Sequence, residues 1–211
     1  MTLSKLLRNP LLAGFFMAVA LFGCGGGGDQ EPSAVSVELR GDSIFSAPGI
    51  ERSPASYIKA ARPGWMVDDR SVSGLALFQA LPFAFGQLSI VVIELGGNDA
   101  LYPRTAEMFE SDLRAAIGSV IGAGKRPVLT GVVNMPVSPD FFTAEALAKR
   151  DAFNAITLRI AKEYGLQHAG WGEDYRGEGD VIADRIHRTQ EASDRLAALL
   201  VAAIERTSEQ R

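Results

Sequence analysis

The chain has 211 residues, 47% of them hydrophobic and 22% charged, which is ample for one domain with a full core and little beyond it. Its formal charge is −4 at pH 7, from 25 acidic and 21 basic residues, and becomes more negative if Lys5 and Arg8 leave with the first 23 residues. That balance argues against nucleic acid as a partner. The single cysteine, Cys24, has no internal disulfide partner, and no His, Cys and carboxylate cluster stands at metal-ligand spacing, so no metal is implied.

The N-terminus carries Lys5 and Arg8, then an apolar run from Leu11 to Phe22, then Gly23-Cys24 and the glycines Gly25 to Gly28. The run is short for a stable membrane anchor and right for a secretory signal. It resembles a bacterial lipoprotein signal, in which a small residue precedes a cysteine that is diacylated and becomes the new N-terminus. Phe22 is bulkier than that pattern prefers. The resemblance implies a signal peptide over residues 1–23, a lipidated Cys24 with a flexible tether over 24–33, and a folded domain over 34–211. It also implies a bacterial envelope protein held to a membrane and facing the periplasm. Gly25 lacks the aspartate associated with inner-membrane retention, which favours the outer membrane.

Strand-like runs follow at Val35–Leu39, Trp65–Ser71, Leu88–Leu95, Arg126–Val133 and, more weakly, Leu166–Trp171. Helical stretches separate them. Ser53-Pro54 caps a helix reaching about Ala61, and Gly74–Ala84 reads as a second, short helix. Thr105–Val120 has apolar residues at helical spacing and ends before Gly122 and Gly124; Thr143–Tyr164 ends at Gly165; Thr189–Arg206 is the last. Leu88 to Leu95 is nearly continuous apolar, as expected of a central strand in a parallel sheet covered on both faces. The pattern predicts a three-layer α/β/α domain. Gly118 to Lys125 only imitates a phosphate-binding loop, since Arg126 stands where Ser or Thr is required. No G-x-S-x-G occurs, which excludes the sharp elbow of ordinary α/β-hydrolases.

Gly41-Asp42-Ser43 closes the first strand, and a serine there, with glycine two residues earlier, suits an exposed nucleophile as well as an ordinary turn. Ser43, Gly74 and Asn98 each follow a predicted strand, and ligands of open parallel sheets bind at the carboxyl ends of strands. Gly74 alone also suits a turn, and Gly96-Gly97-Asn98-Asp99 a strand ending. Asp184-x-x-His187 places a carboxylate and an imidazole on one side of a helical turn, so the acid can hold one ring nitrogen and leave the other for the serine. His168, in a weak strand with no suitable acid nearby, reads as structural.

These blocks, Gly-Asp-Ser43-Ile, Ser73-Gly74, Gly96-Gly97-Asn98-Asp99 and Asp184-x-x-His187, resemble in order those of the SGNH, or GDSL, hydrolase family. Val92 to Leu101 looks most like the bacterial thioesterase, lysophospholipase and arylesterase branch. Arg185 and Arg188 depart from a common glycine and proline. The resemblance implies a flavodoxin-like fold with a five-stranded parallel sheet in the order 2-1-3-4-5. It implies Ser43 as nucleophile, His187 as general base and acid, and Asp184 as the group fixing the imidazole tautomer. The oxyanion hole would comprise the N–H groups of Ser43 and Gly74 and the Asn98 amide. Asp99 would support the loop. No cofactor is required.

The leading expectation is an envelope-anchored hydrolase of acyl esters or thioesters, with a carbohydrate or peptidoglycan O-acetyl esterase and a non-catalytic binding lipoprotein as alternatives. The oligomeric state is open. Asn134 to Thr143 should leave the sheet at the same edge as Ser43, where Met135, Val137, Phe141 and Phe142 would either wall an acyl groove or cover the sheet edge.

Overall fold

The computed structural model describes residues 35–210 apart from Pro139. Five strands, β1 (Ser36–Gly41), β2 (Met66–Asp69), β3 (Ile90–Glu94), β4 (Arg126–Leu129) and β5 (Gln167–His168), form one sheet in the order β2-β1-β3-β4-β5. Every pairing is parallel. The predicted layer architecture and strand order are therefore those observed. The proposed leader, Cys24 and tether lie outside the described residues.

The helices are α1 (Ser43–Ser46), α2 (Pro54–Ala61), α3 (Leu77–Ala80), α4 (Ala106–Gly122), α5 (Ala144–Tyr164) and α6 (Gln190–Glu209). Ser53, Thr105, Thr143 and Thr189 each accept a backbone N–H with the side-chain oxygen at the start of α2, α4, α5 and α6. Each such cap is worth about 1 kcal/mol, and together they explain why these four starts were visible in sequence. α5 stops at Gly165, whose φ of 66° is the left-handed conformation that glycine adopts at least cost.

Strand alternation divides the core. Val37, Leu39, Ile90, Val92 and Val128 pack with α6 residues Leu196, Leu200 and Ile204 on one face, while Val91, Ile93 and Leu129 pack with α4 and α5 residues Phe109, Leu113, Ile117, Phe153 and Ile160 on the other. Phe109 and Phe153 stack at 4.3 Å and join α4 to α5. Burial on both faces accounts for the unbroken apolar run of β3.

Two expectations need correction. The helix expected over Gly74–Ala84 is only the four residues of α3, because Pro82 has no N–H with which to continue it. The Asp184–His187 segment is not a helical turn but a loop, closed at its base by an antiparallel bridge between Val181 and Arg188 and by Ile182 N–H bonding to His187 O at 2.9 Å. Arg185 within it takes a φ of 63°.

Candidate active site

The site is built on the carboxyl edge of the sheet around α1, which the sequence had suggested only as a turn. Asp42 caps α1, its Oδ1 accepting Ile44 N–H at 2.9 Å. Phe45, fully buried, meets the fully buried Trp171 edge-on at 5.2 Å, and Trp171 Nε1 donates to Leu196 O of α6 at 2.8 Å. A capped first residue and an aromatic anchor two residues later thus fix Ser43 between core and solvent, half-buried.

Gly74 sits at φ 78° in the turn after β2, a backbone region that glycine enters without strain. That turn is tied to its neighbours: Val72 N–H bonds Gly41 O at 2.9 Å, and the Ser46 and Ser73 hydroxyls are 2.7 Å apart. Asn98 opens a short 3₁₀ turn, Asn98–Leu101, after β3. Its Nδ2 donates to Asp42 Oδ2 at 2.8 Å and to Leu75 O at 3.2 Å, so this one amide links the three strand ends. Among the described residues, neither the Ser43 nor the Gly74 N–H is given to a protein acceptor. Both are available to a developing oxyanion. Asn98 can join them by releasing the longer bond to Leu75.

His187 Nδ1 lies 2.6 Å from Asp184 Oδ2. The other carboxylate oxygen accepts the N–H groups of Ile186 and His187 at 2.9 and 3.0 Å. Partial burial works in the other direction, yet these bonds, led by the one from His187, hold the Asp184 carboxyl below the usual range. Among the described residues no hydrogen bond joins Ser43 Oγ to His187; catalytic bonds of this kind are often long before substrate binds.

Three buried groups behind the site were missed in the sequence reading. Asp42 is 3% exposed, and burial pushes its carboxyl up to about 6. Glu94, 2% exposed at the end of β3, accepts Asp42 N–H at 3.0 Å; burial and then the Asp42 charge push it well above the usual carboxylate range. Arg188, 4% exposed, donates to Asn134 O at 2.5 Å and lies over the Tyr175 ring at 5.6 Å. Burial pulls its guanidinium down to about 10. Arg188 thereby pins the histidine loop to the chain leaving β4. The signals were present, a lone charge in an apolar strand and an arginine in place of the family's common proline, but each also fits a solvent-facing side chain.

The remaining assignments are resolved by burial. Asp99 is fully buried and accepts Leu77 N–H at 2.7 Å, capping α3 as a supporting residue. His168 takes Gly170 N–H on Nδ1 at 3.0 Å, away from the Asp184–His187 pair. Met135 and Phe142 are each 3% exposed and belong to the core, so they do not wall an open groove; Val137 and Phe141 are the exposed members of that loop.

The family model of the GDSL-like lipase/acylhydrolase family matches residues 39–195, a span that contains every site residue named above. No curated protein matches the sequence. Among solved structures, the chain is similar to TesA, with 22% identity and a TM-score of 0.67 over 82% of this chain and 99% of that one. A lipase/acylhydrolase from Enterococcus faecalis gives 18% identity and a TM-score of 0.70 over 81% and 95%. Axe2, an acetylxylan esterase from Geobacillus stearothermophilus, seen as a catalytic mutant, gives 15% and 0.64 over 82% and 96%. At these identities the structural likeness is one of fold. The match of the family model across all but the start of β1 and across both halves of the site carries more: the chain belongs to the GDSL-like lipase/acylhydrolase family and is a hydrolase of ester bonds.

Proposed function

We propose that the protein is an envelope-anchored serine hydrolase of acyl esters or thioesters, close in kind to the thioesterase and lysophospholipase branch, working through an acyl-serine intermediate. The observation that carries the proposal is the 2.6 Å Asp184–His187 pair on the same sheet edge as a capped, half-buried Ser43. In the first step Ser43 Oγ attacks the acyl carbonyl, and His187 Nε2 takes its proton and passes it to the leaving alcohol or thiol. Water then attacks the acyl-serine with the same base. Asp184 holds Nδ1–H and stabilises the imidazolium. The N–H groups of Ser43 and Gly74 and the Asn98 amide receive the oxyanion. The exposed Val137 and Phe141 lie in the loop after β4, to which Arg185 and Arg188 tie the histidine loop, and offer apolar surface for an acyl chain, which supports a medium-chain substrate over acetyl.

Two experiments test this reading. A fluorophosphonate probe should label the wild type and leave Ser43→Ala unlabelled; an unlabelled, folded wild type rejects it. For the anchor, cells given radiolabelled palmitate should label the wild type at Cys24 and not Cys24→Ser, and an unlabelled wild type rejects the membrane attachment.

A further inference from the structure

Glu94 ends β3 directly opposite Gly41 in the sheet register. Alternation puts its side chain on the face of Ile90 and Val92, toward α6, in the space below Asp42. A carboxyl group there is anomalous in a strand that is otherwise Ile, Val, Val and Ile. The neighbouring chain is shaped to admit it. A Cβ on Gly41 would come within 2.6 Å of Glu94 Oε2 and would also collide with the Phe45 ring. The glycine of the Gly-Asp-Ser segment is therefore required by what stands beneath it as well as by the turn.

The bonds run from Glu94 outward. Oε2 holds the Asp42 N–H at 3.0 Å, which sets the Gly41–Asp42 peptide, one before the peptide that joins Asp42 to the nucleophile. Asp42 then divides its carboxylate, Oδ1 to Ile44 N–H at 2.9 Å and Oδ2 to Asn98 Nδ2 at 2.8 Å. One buried residue thus supports, through a single intermediary, both the start of α1 and the side-chain donor of the oxyanion hole. On the reading of the site given above, we propose that Glu94 is a positioning residue for catalysis, acting through Asp42 to hold Ser43 and the Asn98 amide in register with each other. Its burial against Asp42 keeps it a neutral acid over a wider pH range than usual, with the Arg188 charge opposing this. A side chain that accepts the Asp42 N–H without needing a charge is what the geometry uses, and glutamine, which keeps an oxygen at that place, is its nearest substitute.

The test is steady-state hydrolysis of p-nitrophenyl butyrate by Glu94→Gln, Glu94→Ala and Asp42→Asn, with fluorophosphonate labelling rates and thermal unfolding measured on the same samples. Glu94→Gln should stay within about threefold of wild-type kcat, since its amide oxygen can keep the bond from Asp42 N–H. Glu94→Ala should lose at least about 30-fold in kcat with KM little changed, and should label correspondingly more slowly. The double variant Glu94→Ala/Asp42→Asn should lose no more than the worse single variant, because the two act in series. If Glu94→Ala does not fold, Glu94→Met fills the same volume without an acceptor and carries the comparison. A folded Glu94→Ala or Glu94→Met with wild-type kcat, or losses that multiply in the double variant, would overturn the inference while leaving the serine assignment intact. A wild type that the probe fails to label would instead overturn the serine assignment on which it rests.

Discussion

The carboxylate of Asp184 and the imidazole of His187 meet at 2.6 Å, and the Asp184 oxygen not used in that contact is occupied by two backbone N–H groups of the same loop. The acid is therefore oriented by its own loop before it orients the base. Asp184→Asn can keep the backbone bonds through its amide oxygen but then presents N–H to a ring nitrogen that must itself carry the proton. The wrong imidazole tautomer should result, with kcat lower by about 10³- to 10⁴-fold and KM little altered. Steady-state kinetics on a chromogenic ester checks this; a loss under tenfold would remove Asp184 from the triad.

Asn98 has a different role and should show a different deficit. Asn98→Ala removes one of the three proposed oxyanion donors and the cross-link among strand ends, so kcat should fall about 10²- to 10³-fold. Fluorophosphonate labelling should persist at a reduced rate, whereas Ser43→Ala should not label at all. Equal and complete loss of labelling in both variants would show that Asn98 is needed to form the nucleophile's turn.

Two glycines of the site should respond differently to alanine. Gly41→Ala forces a methyl group into Phe45 and Glu94, an overpacking that costs about 1–3 kcal/mol, and it should disturb Ser43 as well. At Gly74 an added Cβ meets nothing within 4 Å, so only the strain of φ 78° remains, about 1–2 kcal/mol. Urea unfolding measures the stabilities. Kinetics should show the larger kcat loss at Gly41; the reverse order would mean that the Glu94 contact is not part of the site's support.

The paired phenylalanines of the loop after β4 separate packing from substrate contact. Phe142 is buried in the core, and Phe142→Ala should cost about 3–5 kcal/mol. Phe141 is 59% exposed, so Phe141→Ala should change stability by no more than about 0.5 kcal/mol. With p-nitrophenyl esters from acetate to decanoate, kcat/KM of the wild type should rise over the first several carbons, and Phe141→Ala should flatten that rise. A wild-type profile falling steeply after acetate would favour an O-acetyl esterase.

His168 gives the stability a pH dependence of defined sign. Burial holds its folded-state pKa below the ordinary 6.5, so the unfolded chain takes up a proton first as pH falls. Its contribution is intact above about 6.5 and is lost as pH drops below that value toward the folded-state pKa. Asp42, raised to about 6, acts in the opposite sense, its contribution fading as pH rises through that value. His168→Asn keeps an acceptor for Gly170 N–H and removes the titration. The wild-type Tm minus the variant Tm should shrink as the buffer is taken from pH 7.5 to 5; a constant difference would contradict the assignment.

How far the molecule could be read in advance follows from what each feature depends on. The strands, the helices and the edge bearing Ser43, Gly74 and Asn98 were legible because apolar runs, glycine stops and hydroxyl caps are local signals, each visible within a few residues, whereas the strand order came from the family resemblance. The Asp184–His187 pairing was legible as a spacing, but not its conformation, because the loop is set by the Val181–Arg188 bridge and by Arg188 reaching Asn134, contacts across a fold. Met135 and Phe142 could not be separated from Val137 and Phe141 by composition, since only the three-dimensional path of the loop decides which of four apolar side chains turns inward. Glu94 was hidden for the same reason. A charge at a strand end reads as exposed until the neighbouring strand is seen to leave room for it.

The order in which the chain is synthesised follows the layout of the site. Ser43, Gly74 and Asn98 all lie before β4, whereas Asp184, His187 and the α6 side chains Leu196, Leu200 and Ile204 that complete the core over β1 are synthesised after β5. A partly emerged chain can carry the proposed nucleophile and its oxyanion donors, but it has neither the base nor the packing that anchors Trp171 against Phe45. On the proposed assignment, acyl transfer therefore requires α6 to have docked on the sheet.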